Sequence, residues 1–463
     1  MSAAKTDLIA LEREAAEEGR HYGREKLRQR LQAIADEQGL ICPSSGEHLQ
    51  DARFRNLTLI TTLGEVSIRA HYGYDRRSQS WLFAVRKLWG LAPRQEISPQ
   101  LEQQVSFTAV ECGSYQKAEQ MARSWGVPIG ATTIHKHVQL LGGEAQRQQE
   151  LRTERALNPA TRVEITRQAQ AQAPNALKEY NLVIMIDAWK GRERGPDWAL
   201  KPAHATGNRV EWRDLKLAVI YRLDQVVQKV PSADPATRPR RQILEKFWVA
   251  APSGTPPEEF GRQVHAEALR RGMAQAKYIF IVCDGAVWIG NIVEERFQGA
   301  IKELDFYHGS EHLWAVGRDL YPQPDQARAW VEPLLHQLRH GQEAKVLETL
   351  ESLPETLRNL GGVLSELVER EIKYFQNHRD HLHYQDNASK GFPVGSGAES
   401  GCSQFQDRFK RTGQFWNSAS LGRLQALKVA RHNGDWDELC HQPARPTHQT
   451  QPGRSAAFLS STN

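Results

Sequence analysis

The chain has 463 residues, 40% of them hydrophobic and 25% charged, with a net charge of +5. That length exceeds one ordinary domain and predicts two to four modules. The mild positive charge suits a polyanionic partner without demanding one. Five scattered cysteines, Cys42, Cys112, Cys283, Cys402 and Cys440, form no CxxC pair, which argues against a disulfide framework and for a reducing compartment. The opening stretch MSAAKTDLIALEREAAEEGR mixes acids and bases around no apolar signal core. No run of about 18 uninterrupted apolar residues occurs, so no membrane span is expected and the cytoplasm is the expected compartment.

Residues 7–38 read as one charged amphipathic helix, with Leu8, Leu11, Ala15, Tyr22, Leu27, Leu31 and Ile34 at roughly helical spacing. Packing or dimerisation is its expected role. FRNLTLITTLGEVSIRAHYGY (54–74) then alternates apolar and polar residues around LGE, as a β-hairpin does. From Ser114 to Leu141 two short helical patterns flank GVPIG, and Ala122 followed by Gly126 has the small-residue spacing of a helix-turn-helix. The second helix of such a unit carries Thr132, Thr133, His135 and Lys136 toward DNA, although the turn is longer than the tight form and an ordinary helical hairpin fits as well.

Residues 150–178 are polar and rich in Gln, Ala and Arg, a linker or loose helix. The texture then becomes α/β. NLVIMIDAW (181–189), LKLAVIYRL (215–223), KFWVAAP (246–252) and KYIFIVCDGAVW (277–288) read as strands, with a helix around 257–274. A further helix carries IGNIVEERFQGA, and ELDFYHGSEHLW (303–314) begins as another strand. Three strands, a helix and then strand–helix–strand is the element order of an RNase H-like fold, though other mixed sheets share it. Residues 324–380 turn helical throughout. GFPVGSGAESG (391–401) opens another helix, and the tail after Cys440 has the Pro-, Gln-, Thr- and Ser-rich composition of disorder.

The expected fold class is a multidomain α/β protein. An N-terminal helix (1–40), a β-hairpin region (41–95) and a helix-turn-helix region (96–148) precede a linker (149–178). An RNase H-like core follows (179–322), is interrupted by an all-helical insertion (323–390), and resumes at 391–440 before the tail, 441–463.

Two acids sit at the ends of apolar strands: Asp187 closes VIMID, and Asp284 closes YIFIVCD. Strand ends are where an open α/β sheet places its chemistry. A third acid, Glu399, stands at the start of a helix just after VGSGA. Carboxylates converging in one crevice repel unless cations lie between them, and Mg²⁺ takes oxygen ligands while leaving positions for water and phosphate. Two such ions about 3.5–4 Å apart serve an in-line displacement at phosphorus. Any one Asp at a strand end is more often a turn or cap residue; the combination carries the expectation.

The blocks VIMIDAW, VCDGAVWIGNIVEERF, LDFYHGSEHLW, YFQNHRDHLHY and GFPVGSGAESGCSQFQDRFKRTGQFW resemble the DDE transposases of bacterial insertion sequences, the ISKra group in particular and Mutator-type enzymes more distantly. The resemblance covers roughly 180–440 and the N-terminal third in outline. It implies an RNase H-like catalytic domain with Asp187, Asp284 and Glu399 as catalytic residues and metal ligands for two Mg²⁺, with Mn²⁺ as a substitute. It also implies cleavage and joining at element ends, with terminal inverted repeats and target DNA as partners, a homodimer or higher assembly on DNA, and a place on the bacterial nucleoid. Asp305 and His308 resemble a D-x-x-H signature of Mutator-type enzymes, which sets His308 on a strand near the crevice; Glu311 and His312 read as helix-surface residues.

A helix running on from Glu399 brings Lys410 to the same face, flanked by Arg408 and Arg411, for phosphate contact. Trp189 and Trp288 follow the two Asp closely and read as core, whereas Trp416 is the best candidate to stack on an unpaired base. Relatives often bracket the hairpin with two CxxC motifs, a zinc ribbon. Here only Cys42 remains, Ser45 stands in its partner's place and GYDRRSQS (73–80) has no cysteine, so no structural zinc is expected. Two rival functions remain open: a decayed or domesticated transposase that binds DNA without cutting, and another RNase H-like nuclease such as a resolvase or hybrid nuclease.

Overall fold

The computed structural model describes residues 7–92, 95–172, 179–201, 204, 206–228, 241–395 and 405–441. Glu399, Cys402 and the tail from 442 lie outside the described residues. The protein is a multidomain mixed α/β structure that divides into two compact units, Met1–Glu144 with Trp436–Asn463, and Ala145–Asp435.

In the first unit α1 (Leu8–Gln38) starts where the Asp7 carboxylate accepts from Ile9 N at 3.1 Å and stops at Gly39, whose φ is 57°. A three-stranded antiparallel sheet follows: β1 (Gln50–Thr61), β2 (Gly64–Asp75) and β3 (Ser80–Phe83), with β2 central. The alternation read from the sequence buries Leu57, Leu59, Val66, Ile68 and Ala70 on one face. Leu27, Leu31 and Ala35 of α1 pack against that face. β3 pairs with β2 only from Tyr72 to Asp75, and where it ends, Gln32 takes over. Its side chain accepts from Arg69 N at 2.9 Å and donates to Arg69 O at 2.8 Å, which blunts an open sheet edge.

The foot of the hairpin is closed by hydrogen bonds. Buried Asp75 accepts from Ser45 Oγ at 3.0 Å and Ser78 Oγ at 2.6 Å, while Cys42 Sγ lies 3.2 Å from Ser44 Oγ. Cys42 also packs with Leu49 and Ala84, so apolar contact and a carboxylate knot together hold this corner.

After α2 (Ala84–Leu88) and α3 (Pro99–Glu111), α4 (Tyr115–Ser124) and α5 (Ala131–Leu157) form the expected helix pair. Gly126 owes its place to the stop of α4. With φ 78° it donates to Arg123 O at 2.9 Å, and Val127 N reaches Ala122 O at 3.0 Å, the paired bonds of a left-handed glycine cap. The stretch read as a linker or loose helix is helical as far as Gln172: α5 runs to Leu157 and α6 (Pro159–Gln172) follows, because Ala, Gln and Arg are good helix formers.

The second unit is built on a five-stranded mixed sheet of β4 (Asn181–Arg194), β5 (Val210–Arg222), β8 (Phe247–Ala251), β9 (Tyr278–Cys283) and β10 (Ile301–Leu304). Two short strands between β5 and β8, β6 (Val226–Gln228) and β7 (Arg241–Ile243), form a separate ribbon. The main sheet runs in the order β10-β9-β4-β5-β8. β4, β5 and β8 pair antiparallel; β9 lies parallel to β4, and β10 parallel to β9. β4 and β9 are near-continuous apolar runs, as strands covered on both faces must be. α7 (Pro257–Arg270) and α8 (Val287–Arg296) cover one face through Phe260, Val264, Ile289 and Ile292. A helical block, α9 (Phe306–Leu320), α10 (Pro324–Arg339), α11 (Glu343–Asn359), α12 (Glu366–Asn377) and α13 (Tyr384–Ser389), shares its own core with Leu304 at the end of β10.

Two expectations need correction here. β4 does not end at Asp187: it continues to Arg194, paired throughout with β5. Asp187 instead marks where β4 loses its parallel neighbour, since Ile186 opposite Cys283 is the last pair with β9. No helix carries Lys410, because the described residues 407–417 are turns and extended chain; the last long helix, α14 (Ser418–His432), begins where Asn417 accepts from Ser420 N at 3.3 Å.

Candidate active site

The parallel register of β4 and β9 sets Asp187 and Asp284 side by side, each the next residue after the last paired couple. Each spends one oxygen locally: Asp187 Oδ1 accepts from Ala188 N at 2.6 Å, and Asp284 Oδ1 from Ala286 N at 2.9 Å. Among the described residues their Oδ2 atoms accept no hydrogen bond. Burial pushes the Asp284 carboxyl above its usual range, and the neighbouring Asp187 charge adds to the effect, while Ala286 N–H and a charge on His308 pull it back. Two half-buried carboxylates in this position create a local demand for a cation.

Gly285 shows how tightly the turn after Asp284 is packed. Its φ is 81°, and a Cβ there would sit 2.7 Å from His378 Nε2. Burial, with His381 and Lys302 nearby, lowers His378 to about 4, so that ring stays neutral against the turn. Tyr374 donates its hydroxyl to Asp284 O at 2.8 Å and thereby ties α12 to the end of β9.

His308 occupies the first turn of α9, not a strand: the chain leaves β10 at Leu304, and Asp305 caps the helix by accepting from Tyr307 N at 2.8 Å. The expectation that His312 is a surface residue is also overturned. Its Nε2 lies 3.2 Å from His308 Nε2, its ring stacks on Tyr374 at 3.8 Å between centroids, and its Nδ1 meets the Glu371 carboxylate. Glu371 is buried, and its other oxygen accepts from Arg370 Nη2 at 2.8 Å. Glu371, His312 and His308 thus form a continuous polar chain from the interior of the helical block to the vicinity of Asp284. Glu311 is exposed, 3.8 Å from His308 Nδ1. A sequence signal for Glu371 existed: it occupies a stripe position with Val368, Ile372 and Phe375, where an acid needs a reason.

The chain approaches the undescribed segment beside this cluster. Phe306 N donates to Val394 O at 3.1 Å, and a Cβ on Gly395 would lie 3.2 Å from Asp305 Oδ1. The expected third acid, Glu399, lies outside the described residues. Among the described residues no group of three or more His, Cys, Asp or Glu side chains is arranged to hold a metal ion. Asp187 and Asp284 fit as oxygen donors on the strength of their adjacency and the raised Asp284 carboxyl.

The cationic and aromatic candidates separate by burial. Lys410 and Arg411 are exposed, whereas Arg408 is buried against the Trp416 ring at 5.2 Å. Trp416 is itself interior: its Nε1 donates to Phe409 O at 2.9 Å, and its backbone bridges to β4 through Arg194 N at 2.8 Å. The indole fills the gap beside the β4 extension and is not presented to a base. Trp189 packs on Phe409 at 6.0 Å and Trp288 on Phe260 at 6.2 Å, both core contacts. In the first unit Thr132 and Lys136 are exposed on α5 and Thr133 is half-buried; His135 lies edge-on to Tyr115 at 5.0 Å.

The profile of an uncharacterised protein family, UPF0236, matches residues 11–166. No curated protein matches the chain. Among the described residues no helix is long and apolar enough to cross a membrane.

Proposed function

We propose that the protein is a DNA transposase of the DDE class, cutting and joining strands at insertion-sequence ends. The observation that carries the reading is the pairing of Asp187 and Asp284 at the shared end of adjacent parallel strands in a sheet ordered β10-β9-β4-β5-β8. Three antiparallel strands extended by two parallel ones support reading this sheet as an RNase H-like core, with the helical block 323–390 as an insertion into it. In this proposal Glu399 completes the triad, since the chain enters its segment beside Asp305.

Asp187 and Asp284 would hold Mg²⁺, which when bound supplies charge neutralisation at the scissile phosphate and a nucleophile at neutral pH. The protein's own share is positioning and exclusion of water. Tyr374 fixes the backbone at Asp284, and Gly285 permits the tight turn that follows it.

With Nδ1–H of His312 donated to the Glu371 carboxylate, His312 Nε2 is left to accept from His308 Nε2–H, while His308 Nδ1 lies toward the exposed Glu311 carboxylate. Glu371→Gln can donate to His312 and reverse this order. It is expected to slow cleavage about tenfold to a hundredfold at the chemical step with DNA affinity unchanged. Single-turnover rates beside binding isotherms check this, and an equal loss of affinity and rate would assign Glu371 to packing alone.

Lys410 and Arg411 with the α5 side chains Thr132, Thr133, His135 and Lys136 are the proposed DNA contacts, element ends and target DNA the proposed substrates, and a dimer or larger assembly the proposed working form on the bacterial nucleoid. Mg²⁺-dependent nicking of DNA at the proposed element ends, present in wild type and absent in Glu399→Gln, tests this reading.

A further inference from the structure

The geometry points to a binding surface for unpaired bases of single-stranded nucleic acid on the three-stranded sheet of the first unit. The face that buries Leu57 and Ile68 beneath α1 continues past the helix into Arg53, Arg55, Tyr72, Tyr74 and Trp81. Arg53 lies directly across from Tyr72, and Tyr74 across from Trp81. Trp81 stacks on Tyr72 with 5.6 Å between ring centroids and a 22° tilt, and the Arg55 guanidinium sits 4.5 Å above the Tyr72 ring. The result is a cluster of aromatic rings on β2 and β3 flanked by planar cations on β1, on a sheet whose opposite face at this end is covered by the Cys42–Leu49 corner.

Burial separates this cluster from an ordinary core. Trp81 is 45% exposed on a four-residue edge strand, a costly place for an indole whose ring contacts among the described residues are Tyr72 and Tyr74. Arg53 and Arg55 are exposed as well. No acidic side chain occupies this face at positions 53, 55, 57 and 59 of β1, 66, 68, 70, 72 and 74 of β2, or 81 and 83 of β3. Arg76 and Arg77 add two exposed cations in the turn that joins β2 to β3. Such a surface repels a second copy of itself and complements a polyanion. A flat sheet bearing aromatic rings suits splayed, unstacked bases, whereas a duplex hides its π faces. The positive φ of Asp51 (47°) belongs to the irregularity between Gln50 and Arg53 that shifts the register and fixes which β1 side chains join this face.

The test uses the full chain and a labelled oligo(dT) of about 20 nucleotides beside a duplex of the same length, read by fluorescence anisotropy. Trp81→Ala is expected to weaken single-strand binding about tenfold, one stacked base, with duplex binding little changed. Trp81→Phe restores most of the loss. Arg55→Gln is expected to lower the salt slope on the single strand by about 0.7. A wild-type chain that fails to bind the single strand overturns the proposal. So does a Trp81→Ala variant that binds it as well as wild type, or one that loses affinity equally for both probes. Circular dichroism of each variant confirms that the exposed substitution leaves the fold intact. The catalytic reading is untouched by either result, since no cleavage is measured.

Discussion

Asp187→Asn and Asp284→Asn are each expected to lower Mg²⁺-dependent strand cleavage on the order of a thousandfold or more, while DNA affinity stays at the wild-type level. Asn keeps the size and one oxygen of Asp but loses the negative charge that, in the proposed site, would hold a cation between the strands. Asp284 gives this prediction a second readout. Its carboxyl is held half-buried beside a like charge, a cost to the fold that Asn removes. Asp284→Asn is therefore expected to melt at or above the wild-type temperature without metal, and to lack the rise in melting temperature expected of the wild type in Mg²⁺ or Mn²⁺. A variant that is less stable and equally metal-responsive would place Asp284 in a structural role.

Glu303 is expected to make the second unit lose stability as pH rises. It stands on β10, fully buried, with Asn387 Nδ2 donating to one oxygen. Burial pushes its carboxyl up to about 8 from an ordinary 4.5, Asn387 partly opposing. The folded state therefore keeps a proton that the unfolded chain has released. Stability is full below about pH 4.5, declines as pH rises, and has lost this contribution once pH passes about 8. A shift of that size corresponds to roughly 4–5 kcal/mol. Glu303→Gln keeps an acceptor for Asn387 and carries no charge, so its denaturation midpoint is expected to change little between pH 5 and 9 while the wild type declines, the variant being the more stable at pH 9. Parallel curves for the two proteins would show that Glu303 is not the titrating group.

The core strands were legible because apolar runs of strand length bounded by polar turns have few alternatives. VIMID and YIFIVC fall in β4 and β9, and the hairpin alternation of 54–74 falls in β1 and β2. What the pattern could not carry was pairing. KGRER reads as a polar exit from the strand, yet β5 holds it in register to Arg194, so Asp187 became a mid-strand residue defined by its neighbour's end. The site's supporting groups were hidden for a related reason. Glu371 and His312 belong to helices far apart in sequence, and only their packing turns two polar residues into one chain with His308. Arg408, expected beside Lys410 and Arg411 as a phosphate contact, is instead buried against the Trp416 ring, because an aromatic face satisfies a cation without water.

A cleavage assay on duplex DNA from either side of the coding sequence, where the proposed function places terminal inverted repeats, compares wild type with Glu399→Gln in Mg²⁺ and in chelator and tests the proposed metal site. Wild type is expected to nick this DNA only when Mg²⁺ is present, and Glu399→Gln to bind it with the same affinity and leave it uncut. Cleavage by Glu399→Gln at the wild-type rate, or cleavage by wild type in chelator, would contradict a metal site built on Asp187, Asp284 and Glu399.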